Sequence, residues 1–346
     1  MNTPTRLGGF KILKDVVWIS LIQPKEDYRF TTAFANLMAN EKINLPFLTC
    51  GDQNQALGLN FVVDAQDAKK TSGLIEKTFG KTNLTATKGA VLSIFPHRSK
   101  PEIIGTLLDV LGKLGDQPIA FANSPSAISA ILSEDVINEA TNALFDPFEF
   151  GPYRTPEDWK LAQKGKEKLY KEVVASYQEK KPKVYGLDWQ DGQALIHVKL
   201  DSGHISTMGT ALKDFAQFGL VLTFFISRPS KEKNKGNLFF CLPEPDKYNY
   251  IGMIQKLLPE ASTVEDSSVA SFSMNGPHFG DRYGIISELL KSLDEAQVEL
   301  LGLSCSIHTI SGVLSADQIH PAIEAIQKCF DVPSVTKRTD SGIVDS

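Results

Sequence analysis

The sequence predicts an α+β protein built from four copies of one small unit that runs strand, helix, strand, strand, helix. Three observations carry this prediction. Residues 124–148 align without gaps on residues 306–330, an offset of 182, with ten identities in 25 positions: Ser124/Ser306, Ile128/Ile310, Ser129/Ser311, Leu132/Leu314, Ser133/Ser315, Asp135/Asp317, Ile137/Ile319, Ala140/Ala322, Ala143/Ala325 and Phe148/Phe330. A repeat at fixed spacing marks a repeated structural unit. A fainter match joins Val16-Val17-Trp18-Ile19-Ser20-Leu21 to Leu195-Ile196-His197-Val198-Lys199-Leu200, each followed by a helical pattern at residues 33–40 and 211–218, so the second half copies the first. Each half contains two shorter units in which the same order of strand and helix patterns recurs.

The four units fall at residues 10–80, 89–150, 184–260 and 268–333, with a connector at 151–183. The first unit reads as strand 17–22, helix 30–39, strands 43–48 and 57–63, and helix 66–79. In the fourth the same order reads 269–274, 282–293, 298–304, 309–314 and 316–330. Ser133-x-Asp135 and Ser315-x-Asp317 are helix starts, each followed by Ile, Ala and Ala at helical spacing. This βαββα order lacks one edge strand of the ferredoxin-like βαββαβ motif. Helices covering one sheet face leave the other to pack on a neighbour or line a site. In the connector, Thr155 is a helix cap, Pro156 suits the first helical position and Glu157 and Asp158 favour the first turn. The predicted long helix continues to about Tyr177, docked by Leu169, Val173 and Tyr177 with Lys164, Lys166, Lys168 and Lys171 on its other faces.

Composition bounds the function. Hydrophobic residues at 42% and charged residues at 22% over 346 positions are those of a globular chain with more than one core. The net charge of −5 gives no general attraction to nucleic acid or to an anionic membrane, so neither is expected as a partner. The first nine residues do not read as a secretory signal and no run approaches 18 apolar residues, which predicts a cytoplasmic protein. Cys50, Cys241, Cys305 and Cys329 are too scattered for a zinc ribbon or redox pair and read as small core residues of a reducing compartment. His97, His204, His278 and His308 lack metal-ligand spacing, and no metal is expected. The chain has no Gly-x-Ser-x-Gly elbow, phosphate-binding Gly-x-x-x-x-Gly-Lys-Ser/Thr loop or Gly-x-Gly-x-x-Gly fingerprint. Without those motifs the reading assigns no catalytic residue and no cofactor. Phe224-Phe225 and Phe239-Phe240 are expected in the cores of strands.

The units resemble ACT domains, and most nearly the paired ACT domains of the aspartokinase regulatory region. The resemblance rests on Glu41-Lys42-Ile43-Asn44-Leu45 before a second strand, Leu59-Asn60-Phe61-Val62-Val63-Asp64 as a third, and Gln66-Asp67-Ala68 opening a helix. It rests also on Val184-Tyr185-Gly186-Leu187-Asp188-Trp189 leading into Ala194-Leu195-Ile196-His197-Val198, and on Ile307-His308-Thr309-Ile310-Ser311-Gly312-Val313-Leu314. It implies four ferredoxin-like βαββα(β) units in two side-by-side pairs with pseudo-twofold symmetry, joined by the long helix. Aspartokinases carry a kinase domain with a Lys-x-Gly-Gly-x-Ser-type segment. Leu7-Gly8-Gly9-Phe10-Lys11 does not reproduce it, and only about fifteen residues precede the first main strand. The expectation is therefore a non-catalytic regulatory protein, not an enzyme.

The resemblance further implies an amino-acid ligand, lysine or threonine first, bound where a first loop meets a first helix at an interface between units. A helix N-terminus suits an α-carboxylate, and nearby acids suit the α-amino group. The candidate ligand-binding residues are Lys25, Glu26, Asp27 and Asn44 in the first unit, Asp201, Ser202, Gly203 and His204 in the third, and Gly276, His278 and Asp281 in the fourth. The first unit leads because it combines loop acids with Asn44, whereas Glu299 takes the Asn position in the fourth. The expected assembly is a monomer with an internal pseudo-dimer, or a homodimer, with an amino-acid-biosynthesis enzyme as a possible partner. A second reading is a regulatory or structural subunit that docks a partner enzyme without a small ligand.

Overall fold

The computed structural model describes residues 4–24, 29–53, 56–80, 82–96, 99–115, 120–163, 181–232, 234–244, 249–277, 279, 282–306, 308–339 and 342–344. The chain opens with β1 (Thr5–Leu7) and the long β2 (Gly9–Pro24), followed by α1 (Phe30–Asn40), β3 (Phe47–Gln53), β4 (Ala56–Asp64) and α2 (Ala68–Phe79). Next come β5 (Asn83–Phe95), α3 (Pro101–Gly112), β6 (Ala120–Asn123), β7 (Ile128–Ser133), α4 (Ile137–Ala143) and β8 (Phe148–Phe150). After α5 (Pro156–Gln163), the second half runs β9 (Gly186–Asp201), α6 (Ile205–Gln217), β10 (Phe224–Arg228), β11 (Lys235–Pro243), α7 (Tyr250–Leu257) and β12 (Ser262–Asn275). It ends with α8 (Ile285–Glu295), β13 (Leu300–Ser306), β14 (Thr309–Ser315), α9 (Ile319–Cys329), β15 (Val335–Thr339) and β16 (Gly342–Val344).

The strands of the first half lie in the order β6-β7-β5-β2-β4-β3, and those of the second in the corresponding order β13-β14-β12-β9-β11-β10. Two seams join the halves: β3 pairs antiparallel with β13, with Leu48 opposite Cys305, and β6 touches β10 at Ala122 and Ile226. The sheet therefore closes on itself. Its ten-identity repeat is legible in space, because Ser124 and Ser306, Ile128 and Ile310, Leu132 and Leu314, Ala140 and Ala322, and Phe148 and Phe330 are all buried.

Long bent strands make this closure. β2 bulges against β5 between Leu13 and Val16, where Asp15 takes φ 58°, and β9 turns at Gly192 with φ 64° in the matching place. A bulge adds twist and lets one strand serve two neighbourhoods. The first part of β5 pairs with residues 16–22 of β2, while its second part pairs with both β7 and residues 9–13 of β2. Residues 83–88, outside every expected strand, thus supply an edge strand beside β2. A second difference is at β3: the strand expected from Ile43 begins at Phe47, since Pro46 has no N–H to give a ladder.

Helices cover the outer face over two apolar cores. One gathers α1 with Ile75 of α2, α8 and α9 over Leu48, Phe61, Leu303 and Leu314, and the other gathers α3, α4, α6 and α7 over Phe121, Ile196 and Phe240. α8 shows the spacing that does this, burying Ile285, Ile286, Leu289, Leu290 and Leu293 at intervals of one, three and four. The connector helix begins as predicted, with Asp158 accepting from Arg154 N and Thr155 N (both 3.1 Å), and Trp159 stacks on Phe10 at 4.8 Å. Its expected continuation through residues 164–180 lies outside the described residues.

The inner face of the ring is more polar. Asn60 Nδ2 and Thr49 Oγ1 both donate to Ser227 O (3.1 and 2.8 Å), while Trp18 Nε1 and Ser20 Oγ donate to Asn60 Oδ1 (3.2 and 2.7 Å). Ser304 Oγ donates to Asn123 O at 3.0 Å. These bonds tie β3, β4 and β13 across the interior to β10 and β6, and a buried network of this kind is favourable only when its groups are satisfied. The two Phe pairs are in strand cores, fully buried. The cysteines are free thiols; burial pushes the Cys241 thiol up and the Cys305 thiol up to about 12, which removes their nucleophilic form.

Candidate functional site

α1 and α8 run antiparallel across the β3–β13 seam, and between them a cleft of about 740 Å³ opens at the N-terminus of α1. One wall is the first turn of α1, where Arg29, Thr31 and Thr32 face the space and Ala33 N makes the first intrahelical bond, to Arg29 O (2.9 Å). Among the described residues no side chain caps this helix. The amides of its first turn therefore have no acceptor within the helix, and they carry the positive end of its dipole.

The opposite wall is the last turn of α8 with the loop into β13, which presents Lys291, Asp294, Glu295 and Glu299; Cys50 and Asp52 of β3 and Gly302 of β13 form the floor. Cys50 Sγ lies 3.5 Å from Thr31 Oγ1, which links floor to wall. Among the described residues four carboxylates face two cations, Arg29 and Lys291, with the carboxylates of α8 and its following loop opposite the amides of α1. That polarity fits a zwitterion held by its carboxylate at α1 and by its amino group at the acids.

The opposite end of the same helix pair is closed. Ala39, Ile43, Leu45, Phe279 and Gly284 line a remnant of about 10 Å³ there. Ile43 and Leu45, the neighbours of Asn44, line this closed end, and Asn44 does not line the open cleft, so the structure does not bring Asn44 together with the N-terminus of α1. Glu299 takes that place. Lys25, Glu26, Asp27, His278 and Asp281 lie outside the described residues.

The third-unit candidates are described, and their helix start is covered. Ser202, Gly203 and His204 form a 3-10 turn leading into α6, and Asp201 pairs with Lys235 at 3.0 Å. α3 ends against this turn: a Cβ on Gly112 would stand 2.5 Å from Ser206 N. Gly276 donates its N–H to His308 O (2.9 Å) at the end of β12. No sequence motif marks Arg29, Asp52, Asp294 and Glu295, because the cleft forms only where segments about 255 residues apart in the chain come together. Among the described residues no three His, Cys, Asp or Glu side chains gather as a metal cage, and no helix is long and apolar enough to cross a membrane.

No protein-family model matches the chain, and no curated protein matches its sequence. Among solved structures, it is similar to an aspartate kinase from Synechocystis at a TM-score of 0.75 and 15% identity, covering 94% of this chain and 56% of that one. The chain thus has the fold of part of an aspartate kinase and spans little more than half its length. Two structures of the regulatory subunit of aspartate kinase, from Thermus thermophilus in a ligand-free form and from Thermus flavus, match 43% of this chain and 99% of their own at 14% identity, with TM-scores of 0.37 and 0.38.

Proposed function

We propose that this chain is a non-catalytic, amino-acid-binding regulatory protein made of four ACT-like units, duplicated as two halves and paired first with fourth and second with third. The observation that carries the reading is the cleft between α1 and α8, which sets the first turn of α1, the positive end of its helix dipole, opposite a cluster of acids. Lysine fits better than threonine, because among the described residues the carboxylates of the cleft outnumber its cations, which suits a ligand with a second positive charge. The ligand touches both α1 and α8, so it favours whichever spacing of the two helices closes on it, and that spacing is what an enzyme of amino-acid biosynthesis bound to this chain would sense.

Thermal unfolding against the twenty amino acids tests this. A ligand at 100 times its dissociation constant adds about 2.7 kcal/mol of stability. A selective shift with lysine is the expected result, and a flat response to all twenty refutes the reading.

A further inference from the structure

The open cleft and the closed remnant are equivalent places in two equivalent units. At an offset of 255 residues, Thr32 corresponds to Ser287, Asp294 to Ala39, Val298 to Ile43 and Leu300 to Leu45, and each member lines its own end of the helix pair. The backbone keeps the correspondence: Lys42 and Gln297 take φ 56° and 57°, and Ile43 N and Val298 N donate to Met38 O and Leu293 O. What differs is the content. At the closed end Phe279 is 2% exposed, lies 6.2 Å from the ring of Phe330, and comes so near Gly276 that a Cβ there would stand 2.4 Å from the Phe279 ring.

We infer that Phe279 is an internal plug, an aromatic side chain that occupies the second of two equivalent amino-acid sites, so that the chain takes up one ligand where its paired architecture offers two. An aromatic ring has the bulk of a ligand side chain and supplies its buried area permanently. The walls have followed the occupant, with Ala39 where the open cleft has Asp294. The inference deepens the reading of the open cleft and rests on it for the identity of the ligand class.

The test is calorimetric titration of the full chain and of Phe279→Ala with L-lysine and with L-phenylalanine. The wild type is expected to bind one L-lysine and no L-phenylalanine. Phe279→Ala should keep the one L-lysine and gain one L-phenylalanine per chain, its carboxylate at the start of α8 and its ring in the vacated space. Two L-lysines per wild-type chain, or a folded Phe279→Ala that takes L-lysine but no L-phenylalanine, overturns the plug. If Phe279→Ala does not fold, Phe279→Leu with L-alanine as the smaller probe gives the same two outcomes. Gain of L-phenylalanine without any L-lysine binding would uphold the plug and refute the lysine reading.

Discussion

Gly105 of α3 and Gly209 of α6 meet backbone to backbone: a Cβ built on either would stand 2.4 Å from the carbonyl oxygen of the other. This contact seals the helix pair of the second core, and Leu222 N, donating to Ser99 O at 2.9 Å, fastens the chain entering β10 beside the start of α3. The α1–α8 pair has no such glycine contact and holds the cleft instead. Exposed glycine in a helix normally costs up to about 1 kcal/mol against alanine. Here the sign reverses: Gly105→Ala should lower stability by about 1–3 kcal/mol through overpacking, measured by urea unfolding.

Beside these glycines, Asp109 accepts from Ser206 Oγ (2.6 Å) and Lys213 Nζ (3.0 Å) and pairs with Lys113 (3.1 Å). Burial opposes its ionisation, but the hydroxyl and the two ammonium groups outweigh burial and hold the carboxyl below its ordinary value. A lowered folded value contributes stability above the ordinary carboxylate range, and that contribution is lost as pH falls through the folded value. Asp109→Asn should therefore destabilise at neutral pH and flatten the acid limb of a stability-against-pH curve.

His197 behaves in the opposite chemical sense. It is buried between β11 and β12 against Phe239 (4.2 Å), with Nε2 2.9 Å from Asp266 Oδ2, near enough for charge attraction though poorly aligned for a hydrogen bond. Burial lowers its pKa, and Asp266 only partly offsets that. The unfolded chain binds this proton more readily, so stability should fall as pH drops below about 6.5. His197→Gln should remove that part of the slope in denaturant titrations at pH 5–8.

Asn60 links three strands through one side chain, and its amide is buried among partners that cannot all be replaced by water. Asn60→Leu leaves Trp18 Nε1 and Ser20 Oγ without their acceptor. A loss of about 1–3 kcal/mol is expected in chemical unfolding, whereas Ser230→Ala, on the loop after β10, should change little.

In the cleft, Asp294→Asn should weaken L-lysine binding about tenfold, roughly 1.4 kcal/mol, with unfolding unchanged in the absence of ligand. Equal affinity in calorimetry would remove the α8 acids from the site.

The repeat was legible because both copies keep the same buried residues at the same steps, down to Ile137 and Ile319 opening equivalent helices. The helices of the first and fourth units were legible too, from apolar spacing alone. What periodicity could not supply was residues 83–88: from Asn83 to Lys88 all are exposed but the half-buried Leu84, half a strand held by its neighbour rather than by a buried face. In the candidate site, the first loop and Asn44 stand together in the sequence because both belong to one stretch of chain. The antiparallel seam carries Asn44 to the far end and brings Glu299 from another unit instead, a relation that no local pattern records.

The two seams also govern when the molecule can finish forming. Gly51 finds Gly302, and Ala122 finds Ile226, only after most of the chain has left the ribosome. Until then the first half carries two bare strand edges, β3 and β6, and contacts so distant in sequence form slowly. A nascent first half is thus a six-stranded sheet waiting for a partner of its own shape, and the nearest such partner is another nascent first half. Crowded synthesis would favour that mispairing, and slow, dilute synthesis would favour the closed ring.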